Sequence, residues 1–423
     1  MKILYRIIIY IYYFSVIITS IFNKKARLWL SGREGLFNIL QRKVDILDRS
    51  NKRIWIHCAS LGEFEQGRPV IEKIKQQYSD YIIILTFFSP SGYEVRKDYK
   101  YVDIVSYLPL DTSNNSKKFI NIVKPDIVIF VKYEFWYNII SQIYKRNIPL
   151  FLISAKFRQD QLFFKKYGKH YRNILSMFTH IFVQDNNSAK LLNSFNIDNV
   201  TVSGDTRIDR VFTISNENKE IDIIRKWKNN NKVFICGSVW DRDIKIISQL
   251  VNSIDNPLIE YKYIIAPHEI NNSQIINIKK SFRNKKTATF SEIQNDNNIN
   301  ADIIIIDCIG ILNVLYKYAD ISYVGGGFNN GIHNTLEPAV YGLPIIFGPK
   351  YHKFNEAIEL INNGAGFSVK NYSQLKEKLI FLSNDNNRNI SAIKAKEYVI
   401  SNIGATNIII NKIFFSSNLD QIP

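Results

Sequence analysis

The 423 residues, 46% of them hydrophobic, suffice for two domains of ordinary size and are too many for one compact domain of common dimensions. A net charge of +17 admits an anionic membrane surface, an acidic substrate or nucleic acid, but no RNA- or DNA-binding signature accompanies it, so nucleic acid is not an expected partner. Cys58, Cys236 and Cys308 lie far apart in or beside apolar runs and read as buried thiols, and no two of the six histidines are spaced as metal ligands on a helix, so no metal is expected.

From Ile7 to Phe22 the chain carries no charge and is mainly Ile, Tyr, Phe and Val, between Lys2 and Arg6 on one side and Lys24, Lys25 and Arg27 on the other. Such flanks suit a membrane segment. Its 16 residues fall short of the roughly 20 that span a bilayer upright, so a short span and an embedded interfacial helix both fit, and a buried first helix of a soluble domain is the alternative. The heavier cationic flank follows the segment, which places the rest of the chain in the cytoplasm, with residues 1–25 as anchor.

After Asn51, short apolar runs alternate with stretches of helical spacing. IWIHCAS (54–60), YIIILTF (81–87), DIVIFV (126–131), LFLISA (150–155), HIFVQD (180–185) and VTVSGD (200–205) read as strands buried on both faces of a parallel sheet. A polar stretch, 216–231, interrupts the pattern. VFICGS (233–238), YIIAP (263–267), IIIID (303–307), ISYVGG (321–326) and PIIFGP (344–349) form a second series. The simplest architecture is α/β, with two doubly wound Rossmann-like domains, 26–210 and 211–395, facing a cleft, and a helical tail over 396–423.

Chemistry is expected where strands end. In His57-Cys58-Ala59-Ser60-Leu61-Gly62-Glu63, the S-x-x-E spacing predicts a helix capping box first, and as the alternative Gly62 lets an acceptor approach and Glu63 takes a proton from its hydroxyl. Ser89-Pro90-Ser91-Gly92 fits plain helix initiation or an anion-binding helix end. Glu134, after DIVIFV, adds a second carboxylate. The run Gly325-Gly326-Gly327-Phe328-Asn329-Asn330-Gly331-Ile332-His333-Asn334-Thr335-Leu336-Glu337-Pro338 joins strand, glycine-rich loop and helix start. There backbone N–H groups can face phosphate and Glu337 can accept from ribose hydroxyls.

Together these segments resemble the Kdo transferases, which move 3-deoxy-D-manno-octulosonic acid (Kdo) from CMP-Kdo to lipid A precursor. The likeness takes in the apolar amino terminus, HCASLGE, FFSPSG, YEFWYN, GDTRID, APHE, DCIGILNVLYKYAD, GGGFNNGIHNTLEPAVYGLPIIFGP and Phe354. It implies a GT-B fold, an enzyme that inverts at the anomeric carbon without metal or cofactor, and attachment to the cytoplasmic side of the inner membrane. It implies Glu63 as general base, Glu134 and Arg207 as transition-state stabilisers, and a CMP-sugar site. The implied contacts there are Pro267, His268, Ile309, Gly310, Ile311, Gly326, Gly331, Asn334, Thr335, Leu336 and Glu337. The chain departs from the usual pattern at His268, where arginine is usual, and at Ile311 and Lys132, where glutamate is. Ile332 and Thr335 replace a glycine and a proline, and Gly237-Ser238-Val239-Trp240-Asp241 does not match S-T-H-x-G-E. A GT-B enzyme using a UDP-sugar, or a non-catalytic basic peripheral membrane protein, are the alternatives.

Overall fold

The computed structural model describes residues 2–48, 50–217, 219–296 and 300–415. Two compact units divide the chain: residues up to Asp209 with those from Gly404 onward, and Arg210–Ile403. The first is built on β1 (Arg53–Cys58), β2 (Ile82–Phe87), β3 (Ile104–Tyr107), β4 (Ile127–Val131), β5 (Leu150–Ala155), β6 (His180–Val183) and β7 (Val200–Val202). These form a parallel seven-stranded sheet in the order β3-β2-β1-β4-β5-β6-β7.

Both faces of this sheet are covered, which is why its strands are apolar without alternation. In β1, Ile54, Ile56 and Cys58 pack with Phe64, Val70, Ile71 and Ile74 of the helix Leu61–Gln77, while Trp55 faces the opposite core with Phe119 and Phe130. The helix Ala405–Phe414 adds Ile409, Ile410 and Ile413 to the first of these cores. Its first turn is held by Asp209, which accepts from the Gly404 and Thr406 amides at 2.7 and 2.6 Å.

The second unit is built on β8 (Val233–Val239), β9 (Lys262–Pro267), β10 (Thr287–Thr289), β11 (Ile303–Ile305), β12 (Ile321–Val324), β13 (Ile345–Phe347) and β14 (Gly366–Ser368). These pair in parallel in the order β10-β11-β9-β8-β12-β13-β14. The apolar runs foretell every interior strand; β3, β10 and β14 are additions. All three lie at sheet edges: β10 and β14 are three-residue strands that stay partly exposed there, while β3 is buried throughout but its apolar run is short and broken by Ser106. The polar stretch 216–231 contains the short helix Asp222–Lys228, which buries Ile224 and Trp227.

In each sheet the chain changes winding direction at one point, between β1 and β4 in the first and between β8 and β12 in the second. Ligands in such sheets bind beyond the carboxyl ends of the strands at this switch.

The amino-terminal helix Lys2–Ser20 is long and apolar enough by length and composition to cross a membrane. Ile9 alone is buried among its described side chains, and Ile7, Ile8, Ile11, Phe14 and Ile18 are exposed. Its inner side is pinned where the Tyr5 hydroxyl donates to Asp111 Oδ2 at 2.6 Å. Asp111 also accepts from the Asn138 and Ile139 amides, both at 2.9 Å, at the start of the helix Tyr137–Lys145.

Candidate active site

Glu63 follows β1 and Glu134 follows β4, so the two carboxylates flank the switch point of the first sheet. Ser60 caps the helix Leu61–Gln77, but the reciprocal box that its spacing predicts does not form. Ser60 Oγ accepts from the Gly62 amide at 3.2 Å and donates to Glu63 Oε2. The carboxylate, half-buried, is therefore held by a hydroxyl rather than folded back on the backbone it would cap.

Glu134 is 9% exposed, and its Oε2 accepts from Trp136 Nε1 at 2.6 Å and lies 3.1 Å from His57 Nε2. His57, fully buried in β1, reaches back through Nδ1 to the hydroxyl and carbonyl of Thr86 on β2. Burial, then the charges of Glu63 and Glu134, push the Cys58 thiol well above its ordinary range, so this cysteine is an uncharged packing group.

Arg207 lies in the first turns of the helix Thr206–Asn216, just beyond β7. The Thr206 hydroxyl donates to the Gln66 carbonyl at 2.5 Å, tying this turn to the helix that carries Glu63. The Arg207 guanidinium grips Asp205 through Nε at 3.0 and 3.1 Å and Nη2 at 2.5 Å. Burial raises the Asp205 pKa, but Arg207 and then Lys132 outweigh it and hold this carboxyl below its ordinary value. The arginine is thus a fixed positive charge rather than a free arm. Lys132, at the end of β4, sits at a left-handed φ of 69°.

In the second unit, Trp240 follows β8 and the glycine-rich loop follows β12, again on either side of the switch point. His268, just past Pro267 at the end of β9, stacks on Trp240 at 4.3 Å and on His333 at 4.5 Å. Trp240 Nε1 donates to His333 Nε2 at 3.0 Å. Burial and then His268 lower the His333 pKa to about 4, so at neutral pH its one proton sits on Nδ1.

Asp243, fully buried, fixes this corner by accepting from the Trp240 amide at 2.9 Å, the Gly326 amide at 3.0 Å and the Tyr323 hydroxyl at 2.7 Å. Burial and the Asp243 charge keep the Tyr323 phenol well above its ordinary pKa, hence neutral and donating.

The glycines answer close backbone approach. Gly326 sits at φ 90°, where an added Cβ would meet the Gly331 carbonyl at 2.5 Å; Gly327 lies against Gly348, with an added Cβ at 2.6 Å from its backbone. Gly331, at φ 143°, abuts the Phe354 ring. An open pocket of about 410 Å³ is lined here by Trp240, Arg242, Gly326, Gly331, His333 and Lys350.

Asn334 bonds Glu337 Oε1 and accepts from the Leu336 amide, both at 3.1 Å, at the start of the helix Leu336–Val340. Thr335 and Leu336 are fully buried, and the Thr335 hydroxyl finds no hydrogen-bond partner among the described residues. Gly310, at φ 95°, carries the turn after β11 that leaves Ile309 91% exposed and Ile311 half-buried.

The structure thus groups Glu63, Glu134 and Arg207 on the rim of the first sheet, and the other expected residues on the rim of the second. His57, Trp136, Trp240 and Asp243 were not singled out as site residues in the sequence. A histidine inside the apolar run IWIHCAS was the signal for the first; nothing in the spacing marked Asp243. Ser89 accepts from the Ser91 amide and starts only the short helix Pro90–Arg96, so plain initiation describes that turn. Among the described residues no cluster of three His, Cys, Asp or Glu is placed to hold a metal.

The sequence profile of the 3-Deoxy-D-manno-octulosonic-acid transferase (kdotransferase) family matches residues 34–210. A 3-deoxy-D-manno-octulosonic acid transferase of Aquifex aeolicus is 31% identical over 349 residues, 81% of this chain and 90% of the relative. One of Haemophilus influenzae is 29% identical over 323 residues, 73% of each chain. Among solved structures, the UDP-GlcNAc 2-epimerase from Neisseria meningitidis bound to UDP-GlcNAc superposes with a TM-score of 0.61 at 16% identity, covering 86% of this chain and 100% of that one. Acinetobacter baumannii MurG gives 0.54 at 14% identity, covering 86% and 99%. These two likenesses show the fold, α/β of GT-B type. With a relative of 31% identity matched over most of both lengths, the chain belongs to the 3-deoxy-D-manno-octulosonic acid transferases, a family of glycosyltransferases.

Proposed function

We propose that the protein transfers Kdo from CMP-Kdo to a hydroxyl of a lipid A precursor, lipid IVA, with inversion at the anomeric carbon. The acceptor oxygen attacks that carbon, its proton passes to the Glu63 carboxylate, and the bond to phosphate breaks so that CMP leaves with the electron pair. The observation that carries this reading is the state of Glu63: half-buried at the switch point, hydrogen-bonded by Ser60, and not engaged in the backbone cap that its spacing allows. Glu134 and Arg207, held on the same rim, stabilise developing charge in the transition state.

The donor contacts in this reading are Pro267, His268, Ile309, Gly310, Ile311, Gly326, Gly331, Asn334, Thr335, Leu336 and Glu337. Loop amides meet phosphate, and Glu337 meets ribose hydroxyls. His268, stacked on Trp240, replaces the arginine fork with a flat aromatic surface and a single ring edge for the phosphate. The exposed apolar side of Lys2–Ser20, with Lys24, Lys25 and Arg27 after it, attaches the enzyme to the cytoplasmic side of the inner membrane, where its acceptor resides.

Nucleotide protection tests the donor. CMP at about 100 times its Kd should stabilise the protein by about 2.7 kcal/mol in thermal unfolding, whereas UDP at the same concentration should not. Protection by UDP alone would favour a UDP-sugar enzyme.

A further inference from the structure

Beneath Glu134 lies a line of buried polar groups that the reaction above does not use. Trp55 Nε1 donates to Thr86 Oγ1 at 2.8 Å. Thr86 Oγ1 is 2.9 Å from His57 Nδ1, His57 Nε2 is 3.1 Å from Glu134 Oε2, and Trp136 Nε1 closes on the same oxygen at 2.6 Å. Trp55, His57 and Thr86 are fully buried, and the His57 ring packs edge-on against Phe130 at 5.3 Å. No described residue other than Trp136 and His57 gives Glu134 a side-chain hydrogen bond.

Donor and acceptor bookkeeping fixes the direction of this line. Indole nitrogens only donate, so Thr86 Oγ1 accepts from Trp55 and its own hydrogen is free to turn elsewhere. Glu134 Oε2 accepts from Trp136, and a bare Nε2 facing that carboxylate oxygen would set lone pair against lone pair. Nε2 therefore carries a proton and donates. The Thr86 hydroxyl then donates to an unprotonated Nδ1, with no charge added to the sealed interior.

We propose that His57 is a positioning residue, held as the Nε2–H tautomer by Thr86, which with Trp136 clamps one oxygen of Glu134 and leaves the other, Oε1, aimed at the reacting groups. The proposal rests on the role of Glu134 proposed above. It assigns to Thr86, on a neighbouring strand and with no substrate to touch, control of which histidine nitrogen faces the carboxylate. Without the Thr86 hydroxyl, the ring's best remaining partner at Nδ1 is the Thr86 carbonyl, 3.1 Å away. That carbonyl can only accept, so it competes with Glu134 for the ring's proton and weakens the donation from Nε2.

The test is Thr86→Val, which keeps the shape and removes the hydroxyl, beside Thr86→Ser, which restores it. Thr86→Val should lower kcat about tenfold or more with the CMP-Kdo KM unchanged, Thr86→Ser should stay near wild type, and Thr86→Val should add no loss to Glu134→Gln. Nitrogen NMR of the unmutated protein labelled at the histidine rings should show His57 protonated at Nε2 and bare at Nδ1, a readout independent of how the variants fold. Wild-type turnover in Thr86→Val, or a proton on Nδ1, overturns the relay even if Glu134→Gln is inactive. Wild-type turnover in Glu134→Gln would instead overturn the role of Glu134 on which the relay depends.

Discussion

Glu63→Gln is expected to lower turnover by roughly 10²–10⁴-fold while leaving the affinity for CMP as it is. A glutamine side chain is nearly the same size, and its carbonyl oxygen can still accept the Ser60 hydroxyl that now bonds Glu63 Oε2. What it loses is the capacity to take a proton. Were Glu63 only a helix cap, the substitution would cost a few tenths of a kcal/mol to about 1 kcal/mol of stability and leave chemistry intact. Turnover and CMP titration on one preparation separate these outcomes, and near wild-type turnover would remove Glu63 as the base.

The second large effect is structural. Asp243→Ala should strip acceptors from the Trp240 amide, the Gly326 amide and the Tyr323 hydroxyl at once. Each buried donor left unpaired costs about 1–3 kcal/mol, and because the sites share one corner the sum is less than additive, about 3 kcal/mol in all. For a unit the size of Arg210–Ile403 this lowers the melting temperature by roughly 6–12 °C. The glycine loop loses its anchor at Gly326 too, so CMP protection should fall in the same variant. Asp243→Asn, which keeps an oxygen acceptor, should lie between; a melting temperature in Asp243→Ala equal to wild type would show that the loop is held by other contacts.

Much of the fold was legible because fully buried parallel strands must be apolar on both faces. IWIHCAS and VFICGS therefore stand out without alternation, whereas TAT of β10 and GFS of β14, at the edges, do not. The loop after β12 was legible because its glycines answer a demand of the backbone itself, visible in the contact of Gly327 with Gly348. Glu63 was ambiguous for a physical reason: a capping box and a catalytic carboxylate share one spacing, and whether the box closes depends on side-chain geometry that spacing does not encode.

The least legible features are those made by side-chain geometry, whether the partners are near or distant in sequence. The resemblance points to Arg207 but not to its partner Asp205, which turns a mobile cation into a fixed one. The setting of His268 becomes intelligible only beside Trp240 and His333, whose flat rings stack against it. Likewise His57 looks like a polar interruption of a strand until Thr86 and Glu134, 29 and 77 residues away, are seen on either side of its ring.

The most direct measurement of the central claim is to supply the purified protein, in detergent or vesicles, with a tetraacylated lipid A precursor and CMP-Kdo generated in place, and to weigh the lipid product by mass spectrometry. A precursor heavier by whole Kdo units, formed together with CMP and abolished in Glu63→Gln, is the predicted result. An unmodified precursor in the presence of intact CMP-Kdo, from protein that CMP does not protect, would contradict it.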